Sequence, residues 1–162
     1  MDRLKYWIDE ICSCLAVLIN VVESSPEAKE QMLFIKYNSN GHDEVLSVIE
    51  LLVMLFNFAS DSLRLNDKAE ASGEVTLDAL HHNEREALGS TLKVYSSILL
   101  GFLIVDSLEG KNKAKSLLQT HSLESITNSI SKCLGFYRSA GAMTEKTEAS
   151  LQTLLKKLSD NL

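Results

Sequence analysis

The chain has 162 residues, of which 45% are hydrophobic and 23% charged, a composition that fits one globular domain and excludes a disordered chain. One proline and seven glycines are few breakers for this length, which favours helix over strand. The formal net charge of -6 argues against a general nucleic-acid binder, because phosphate recognition needs a clustered positive field.

Apolar residues at three- and four-residue steps predict a first helix over about 3–23. A second helix is predicted over about 26–36, with either Ser24 or Ser25 as its cap. So few residues separate the two helices that they must form an antiparallel or sharply angled pair.

The next segment is predicted to be a loop over 37–42 followed by a third helix over about 44–65, capped by Asp43. This helix is apolar almost all round, which predicts a place in the middle of a layered stack. Asn57 within it needs a hydrogen-bond partner on another helix. Residues 66–80 are polar, acidic and aperiodic, and they predict a surface insertion.

Beyond the insertion we expect a short helix at about 83–88 and a long, mostly buried helix over about 90–108. Gly101 within the long helix costs about 1 kcal/mol of helix propensity, which a closely packed neighbouring helix would explain. Gly110 is expected to end that helix.

The last third of the chain predicts helices over about 112–119, 123–138 and 145–160, with Ser122 and Thr144 as caps of the last two. With no strand predicted, the fold class is all-α. Helix pairs or triplets spaced by about 40–50 residues favour stacked antiparallel pairs in a HEAT/armadillo-like α-solenoid. Residues 1–162 are expected to form a single domain.

The charge is unevenly distributed. Residues 1–90 carry seven Lys/Arg against sixteen Asp/Glu, whereas residues 91–162 carry nine against six. The acidic surplus fits either solvated helix faces or an acidic surface for a basic protein partner, and both interpretations stay open.

No catalytic motif is recognisable: the sequence has no Gly-rich phosphate loop, nucleophile elbow or zinc-protease motif. His81 and His82 would face different directions on a helix and chelate a metal poorly. Cys12, Cys14 and Cys133 lack metal-ligand spacing and are expected to be reduced, mostly buried thiols. We therefore expect no enzyme activity, no cofactor and no metal.

A membrane span is not expected either. The longest apolar runs, Ile98–Val105 and Leu51–Phe56, are far shorter than the ~20 residues that a span needs. Asp9 and Glu10 interrupt the apolar N-terminal stretch, which argues against a signal peptide.

Two stretches carry a family likeness. Residues 14–23 have the sequence Cys-Leu-Ala-Val-Leu-Ile-Asn-Val-Val-Glu, followed by Ser24 and then Ala28-Lys29, and residues 95–103 have the sequence Tyr-Ser-Ser-Ile-Leu-Leu-Gly-Phe-Leu. Both resemble the C-terminal HEAT-repeat domain of the wings-apart-like (WAPL) cohesin-release family. The order continues with Leu134, Phe136, residues 140–144 and a final Leu-rich helix, and the acidic stretch 66–80 falls where that family has an acidic insertion.

The resemblance implies a helical-repeat platform that binds cohesin subunits and Pds5-type regulators and helps to release cohesin from chromatin in the nucleus. It implies no direct contact with nucleic acid. The chain is far shorter than that family's proteins and lacks their N-terminal arm of aromatic motifs, so we expect it to correspond to the last few repeats. The alternative is an unrelated HEAT or armadillo scaffold or adaptor domain, cytoplasmic or nuclear.

The candidate partner-binding face is Glu84, Ala87, Leu88 and Thr91, which recur at three- and four-residue steps and so share one side of a helix. Leu88 would be the apolar anchor of this face, with the smaller and polar side chains around it. The competing interpretation is that Leu88 and Thr91 pack against a neighbouring helix.

Overall fold

The computed structural model describes residues 3–38, 45–70 and 77–160, with the side chains of 64–70 and 77–85 left out of the description. Within these residues the chain forms seven helices and two short strands. They are α1 (Arg3–Ser24), α2 (Pro26–Phe34), β1 (Lys36–Asn38), β2 (Val45–Ser47), α3 (Val48–Glu70), α4 (Leu77–Ile104), α5 (Leu108–Leu117), α6 (Glu124–Ser139) and α7 (Glu145–Ser159). The mostly helical class with packed helix pairs is confirmed, whereas the expectation of no strand is wrong.

The two strands form an antiparallel hairpin in which Tyr37 pairs with Leu46. The hairpin occupies positions assigned by the sequence to a loop and to the first residues of a helix, because aromatic and β-branched residues favour extended pairing. The third helix therefore begins at Val48. The Ser47 amide donates to the Glu50 carboxylate at 2.6 Å and the Ser47 hydroxyl accepts from the Glu50 amide at 3.4 Å, as in a capping box. The predicted cap, Asp43, lies outside the described residues.

The central helix is α4, which contacts all six other helices among the described residues. Its inner side chains are almost completely shielded from solvent, among them Leu92, Leu99, Leu100, Leu103 and Ile104. The predicted burial of this helix is confirmed.

By length and composition alone, residues Glu86–Ile104 of α4 could also cross a membrane, but 56% of the most apolar window of this segment is buried inside the fold. A core helix of a packed helical protein can have the same length and the same apolar composition.

The third helix is less buried than expected. Leu52 and Phe56 face the core with 2% and 3% exposure, whereas Met54 and Phe58 are about half exposed. The helix thus has one outer face, and the prediction that it is surrounded on all sides is wrong. Asn57 on its flank donates a long hydrogen bond of 3.4 Å to the Leu117 carbonyl, so the expected inter-helix partner is confirmed.

Gly101 sits where α6 and α7 press against α4. A Cβ atom there would lie 3.3 Å from methyl carbons of Leu154 and Leu158 and 3.4 Å from one of Ile130. The predicted close neighbour is confirmed. It explains why a residue without a side chain occupies this position in the last turn of the core helix.

The fourth helix differs from the prediction at both ends. It runs unbroken through Gly89, where the sequence suggested two separate helices, and ends at Ile104 instead of about 108. Packing of its neighbours outweighs the modest propensity cost of one glycine. The Ser107 hydroxyl accepts a hydrogen bond from the Gly110 amide at 3.0 Å and starts α5. Gly110 therefore lies inside a helix, and its predicted role as a stop is wrong.

Several helix ends agree with the sequence. Of the two alternatives for α2, Ser25 is the cap and accepts from the Ala28 amide at 3.1 Å. Thr144 caps α7 as predicted, accepting from Thr147. Residues 66–70 and 77–80 are helical, because α3 continues to Glu70 and α4 begins at Leu77, so the expected lack of regular structure is wrong there; the surface insertion itself stays a prediction. Residues 71–76 lie outside the described part of the chain.

Candidate protein-binding groove

A groove of about 680 Å³ lies between α4 and α6. We call it the α4–α6 groove. Its α4 side is formed by Ala87, Ser90, Thr91, Lys93, Val94 and Tyr95, and its α6 side by Ser125, Asn128, Ser129, Lys132, Cys133, Phe136 and Tyr137, with Leu63 of α3 at one end. The described lining combines apolar, aromatic and uncharged polar side chains with two lysines, and no carboxylate belongs to this described part.

One wall of the groove is aromatic. Phe136 is 67% exposed, and its ring meets the Tyr137 ring edge-to-face with centroids 5.5 Å apart. Lys132 is exposed one helical turn before Phe136. Exposed aromatic rings such as that of Phe136 are enriched at protein interfaces relative to the remaining surface, whereas lysines are depleted there.

The α4–α6 groove adjoins two smaller cavities. A cavity of about 340 Å³ towards α1 and α7 shares Tyr95, Cys133 and Tyr137 with it. Another of about 210 Å³ towards α3 shares Leu63, Lys93 and Ser125. The concave surface therefore extends beyond one pocket along the α4 helix.

Two polar groups line the end of the groove next to α3. The ammonium nitrogen of Lys93 lies 5.3 Å from the centre of the Phe56 ring, which is within the range of a cation–π interaction. The Ser125 hydroxyl oxygen is shielded from solvent, and no residue in the described part of the chain hydrogen-bonds to it.

The thiol and phenol in the groove floor are kept neutral by their surroundings. Burial raises the pKa of the Cys133 thiol, so it remains protonated near neutral pH and is a poor nucleophile. Burial is also the main reason that the pKa of Tyr95 is raised, with smaller contributions from Tyr137 and the two buried thiols. Cys12 and Cys133 are buried and unbridged as expected, whereas Cys14 is exposed.

The structure places the residues of the predicted partner-binding face in different surroundings. Ala87 is exposed and Thr91 half-buried, and both line the α4–α6 groove, where the Thr91 hydroxyl donates to the Ala87 carbonyl at 2.9 Å. Leu88 instead packs against the hydrophobic core, as the competing interpretation had it. The Glu84 side chain lies outside the described residues.

The opposite wall of the groove escaped the sequence reasoning. Lys132 and Phe136 are four residues apart on α6, a spacing that places two exposed side chains on one helix face. That pattern was visible in the sequence. The pairing of this face with residues 87–95 was not, because it depends on how α6 packs on α4.

Comparison with known proteins assigns no family: no family model matches the chain, and no curated protein is significantly similar to it. Within the described residues, no group of three or more His, Cys, Asp or Glu side chains is arranged to hold a metal ion. The groove is therefore interpreted from its own chemistry.

Proposed function

We propose that this chain is a non-catalytic protein-interaction module that receives a segment of a partner protein in the α4–α6 groove. The observation that carries the proposal is the groove itself, a concavity with an exposed aromatic ring, an apolar floor and polar side chains that include two lysines. Such a surface suits side chains of a bound polypeptide.

The resemblance of residues 14–23 and 95–103 to WAPL proteins suggests which partners to test. In this proposal the packed helix pairs are the last repeats of a HEAT-type solenoid. The partners are cohesin subunits and Pds5-type regulators, and the place of action is nuclear chromatin. The module binds them without direct contact with nucleic acid or membrane.

The test is a double substitution on the α4 wall, Ala87→Lys with Thr91→Lys, in a pull-down with cohesin subunits and a Pds5-type regulator. Ala87 is exposed and Thr91 is only partly buried, so the helix should accommodate two lysines while the groove narrows. The expected result is lost capture with an unchanged melting temperature.

The chain offers a closely matched control on α7. Ala149 and Thr153 have the same spacing and the same hydrogen bond, from the Thr153 hydroxyl to the Ala149 carbonyl at 2.8 Å, and both are exposed. Ala149→Lys with Thr153→Lys should retain capture. Normal capture by the α4 variant would remove the groove from consideration. Failure of the unaltered chain to bind any cohesin or Pds5-type protein would favour the unrelated scaffold instead.

A further inference from the structure

We infer that a second copy of this chain covers the exposed side of α1, so that the protein forms a dimer through a pair of α1 helices. We call this side the outer α1 face, and it consists of Trp7, Ile11, Cys14, Leu18 and Val21, with Tyr6 and Val17 beside them. None of these residues lines the α4–α6 groove as described, so the inference goes beyond the proposed function.

Helix α1 has two apolar faces and buries only one of them. The inner face is buried against the core and consists of Ile8, Cys12, Leu15 and Val22. The outer α1 face has apolar residues at alternating steps of four and three, which is the spacing with which one helix packs along another. Among the described residues α1 packs chiefly on α4 and α2, and Trp7 and Val17 remain 59% and 62% exposed. The outer α1 face is therefore shaped to receive a further helix.

The apolar area of the outer α1 face is what a dimer needs. Complete burial of an aromatic side chain removes roughly 150–250 Å² from water, and complete burial of an aliphatic one roughly 60–120 Å². At the observed exposures the outer α1 face presents roughly 450 Å² of apolar surface. A standard interface covers about 800 Å² on each partner, and somewhat more than half of that area is apolar. The outer α1 face thus supplies the apolar part of one such interface, and a contiguous patch of this size is unusual on a monomer.

The charges of α1 favour a protein surface over a lipid surface as the occupant. The helix contains two basic and three acidic residues. A helix that lies on a membrane carries mainly Lys and Arg on its polar side, where they meet anionic headgroups. The composition of α1 therefore lacks the electrostatic contribution that membrane binding uses.

Antiparallel packing makes the outer α1 face complementary to itself. Trp7 and Val21 lie seven residues before and after Cys14. A twofold axis at Cys14 therefore places the Trp7 ring of each copy beside the smaller Val21 side chain of the other. The same arrangement opposes the two helix dipoles and brings Arg3, exposed in the first turn, near the carbonyl end of the other α1, which favours a positive charge.

The first test is sedimentation equilibrium of the full chain at concentrations from about 1 to 200 µM, a range that covers the weaker interfaces of this size. The average mass is expected to rise from that of the 18.0 kDa chain towards twice that value. A mass that stays at 18.0 kDa throughout would overturn the inference. Binding of that monomer to phosphatidylcholine vesicles would then identify a lipid surface as the occupant instead.

The second test locates the interface with a pair of matched variants. Trp7→Lys with Val21→Lys puts two charges on the outer α1 face, at positions that are 59% and 42% exposed. Phe58→Lys with Leu51→Lys makes the same kind of change on the exposed side of α3, at positions that are 48% and 38% exposed. The α1 variant should remain monomeric at 200 µM with an unchanged circular dichroism spectrum, a concentration about 200 times the lowest used for the unaltered chain, and the α3 variant should still dimerise. A dimer that survives in the α1 variant, or equal loss in both variants, would contradict the inference.

The third test uses the chain with its α1 face unaltered, so it does not depend on how the lysine variants fold. Cys14 is exposed, whereas Cys12 and Cys133 are buried, so a short bismaleimide reagent should join two chains through Cys14. Exchange between monomer and dimer keeps this thiol accessible to the reagent. A crosslinked band of twice the chain mass is expected, and Cys14→Ser should abolish it. No crosslinked band, or a band that persists in Cys14→Ser, would show that the outer α1 face is not the dimer interface.

Discussion

The packing of α4 against α6 and α7 can be tested at Gly101, because the chain contains a second helical glycine that lacks neighbours. A Cβ atom at Gly101 would meet three methyl groups at 3.3–3.4 Å, whereas one at Gly135 in α6 would meet nothing within 4 Å. Alanine at either position gains the same helix propensity, about 1 kcal/mol over glycine. Any difference between the two substitutions therefore measures the packing around Gly101.

We expect Gly135→Ala to stabilise the protein by about 1 kcal/mol. Gly101→Ala should be less favourable by at least about 0.5 kcal/mol, since the methyl groups of Leu154, Leu158 and Ile130 must each shift by a few tenths of an ångström. Gly101→Leu adds three more carbons to a filled site and should destabilise the fold by about 1–3 kcal/mol in spite of its better helix propensity.

The assay is urea unfolding followed by far-ultraviolet circular dichroism, with the free energy of unfolding taken from the midpoint at constant slope. An increase in stability for Gly101→Ala equal to that for Gly135→Ala would refute the close approach of the three helices. So would a neutral Gly101→Leu. A changed slope would show that the unfolded or folded state itself had altered, and the comparison would then rest on the melting temperature.

Three further predictions follow from burial and charge. Leu99→Ala should lower the free energy of unfolding by about 3–5 kcal/mol, because Leu99 is 1% exposed. Met54→Ala, at a half-exposed position, should lower it much less. Similar losses for the two variants would contradict the assignment of Leu99 to the core. The hydrogen bond from Lys29 keeps the pKa of Asp106 below its usual value, so Asp106 stabilises the fold above about pH 4 and ceases to do so as pH falls through its lowered pKa. Urea midpoints measured across that range should fall less for Asp106→Asn than for the unaltered chain. Iodoacetamide should label exposed Cys14 first, with Cys133 protected until unfolding; mass spectrometry showing the reverse order would contradict the fold.

The sequence by itself determined most of the local structure. The three- and four-residue spacing of apolar residues located α1, α6 and α7 to within a residue or two, and Thr144 indicated the start of α7. Helical periodicity is a local property, because each residue of a helix bonds to one four positions away. The burial of α4 was likewise predicted from its own sequence, because apolar residues cover most of its sides.

The tertiary structure decided what depended on distant contacts. The hairpin of β1 and β2 joins residues that periodicity assigned to a loop and a helix, and so short a sheet needs packing against the rest of the fold, here α3, in addition to its own pairing. Gly89 stays within a helix because neighbours cover it. Leu88 turns to the core and Thr91 to the groove because α6 and α3 pack on different sides of α4.

The groove shows most clearly that local sequence patterns do not reveal contacts between distant segments. Ala87 and Thr91 were identified from their own helix, but Lys132 and Phe136, about forty residues further along the chain, complete the site. No local pattern connects these two segments. The two segments are brought together by the burial of apolar surface between α4 and α6. The free energy of this burial comes from the packing of both helices, so neither helix sequence alone reveals it.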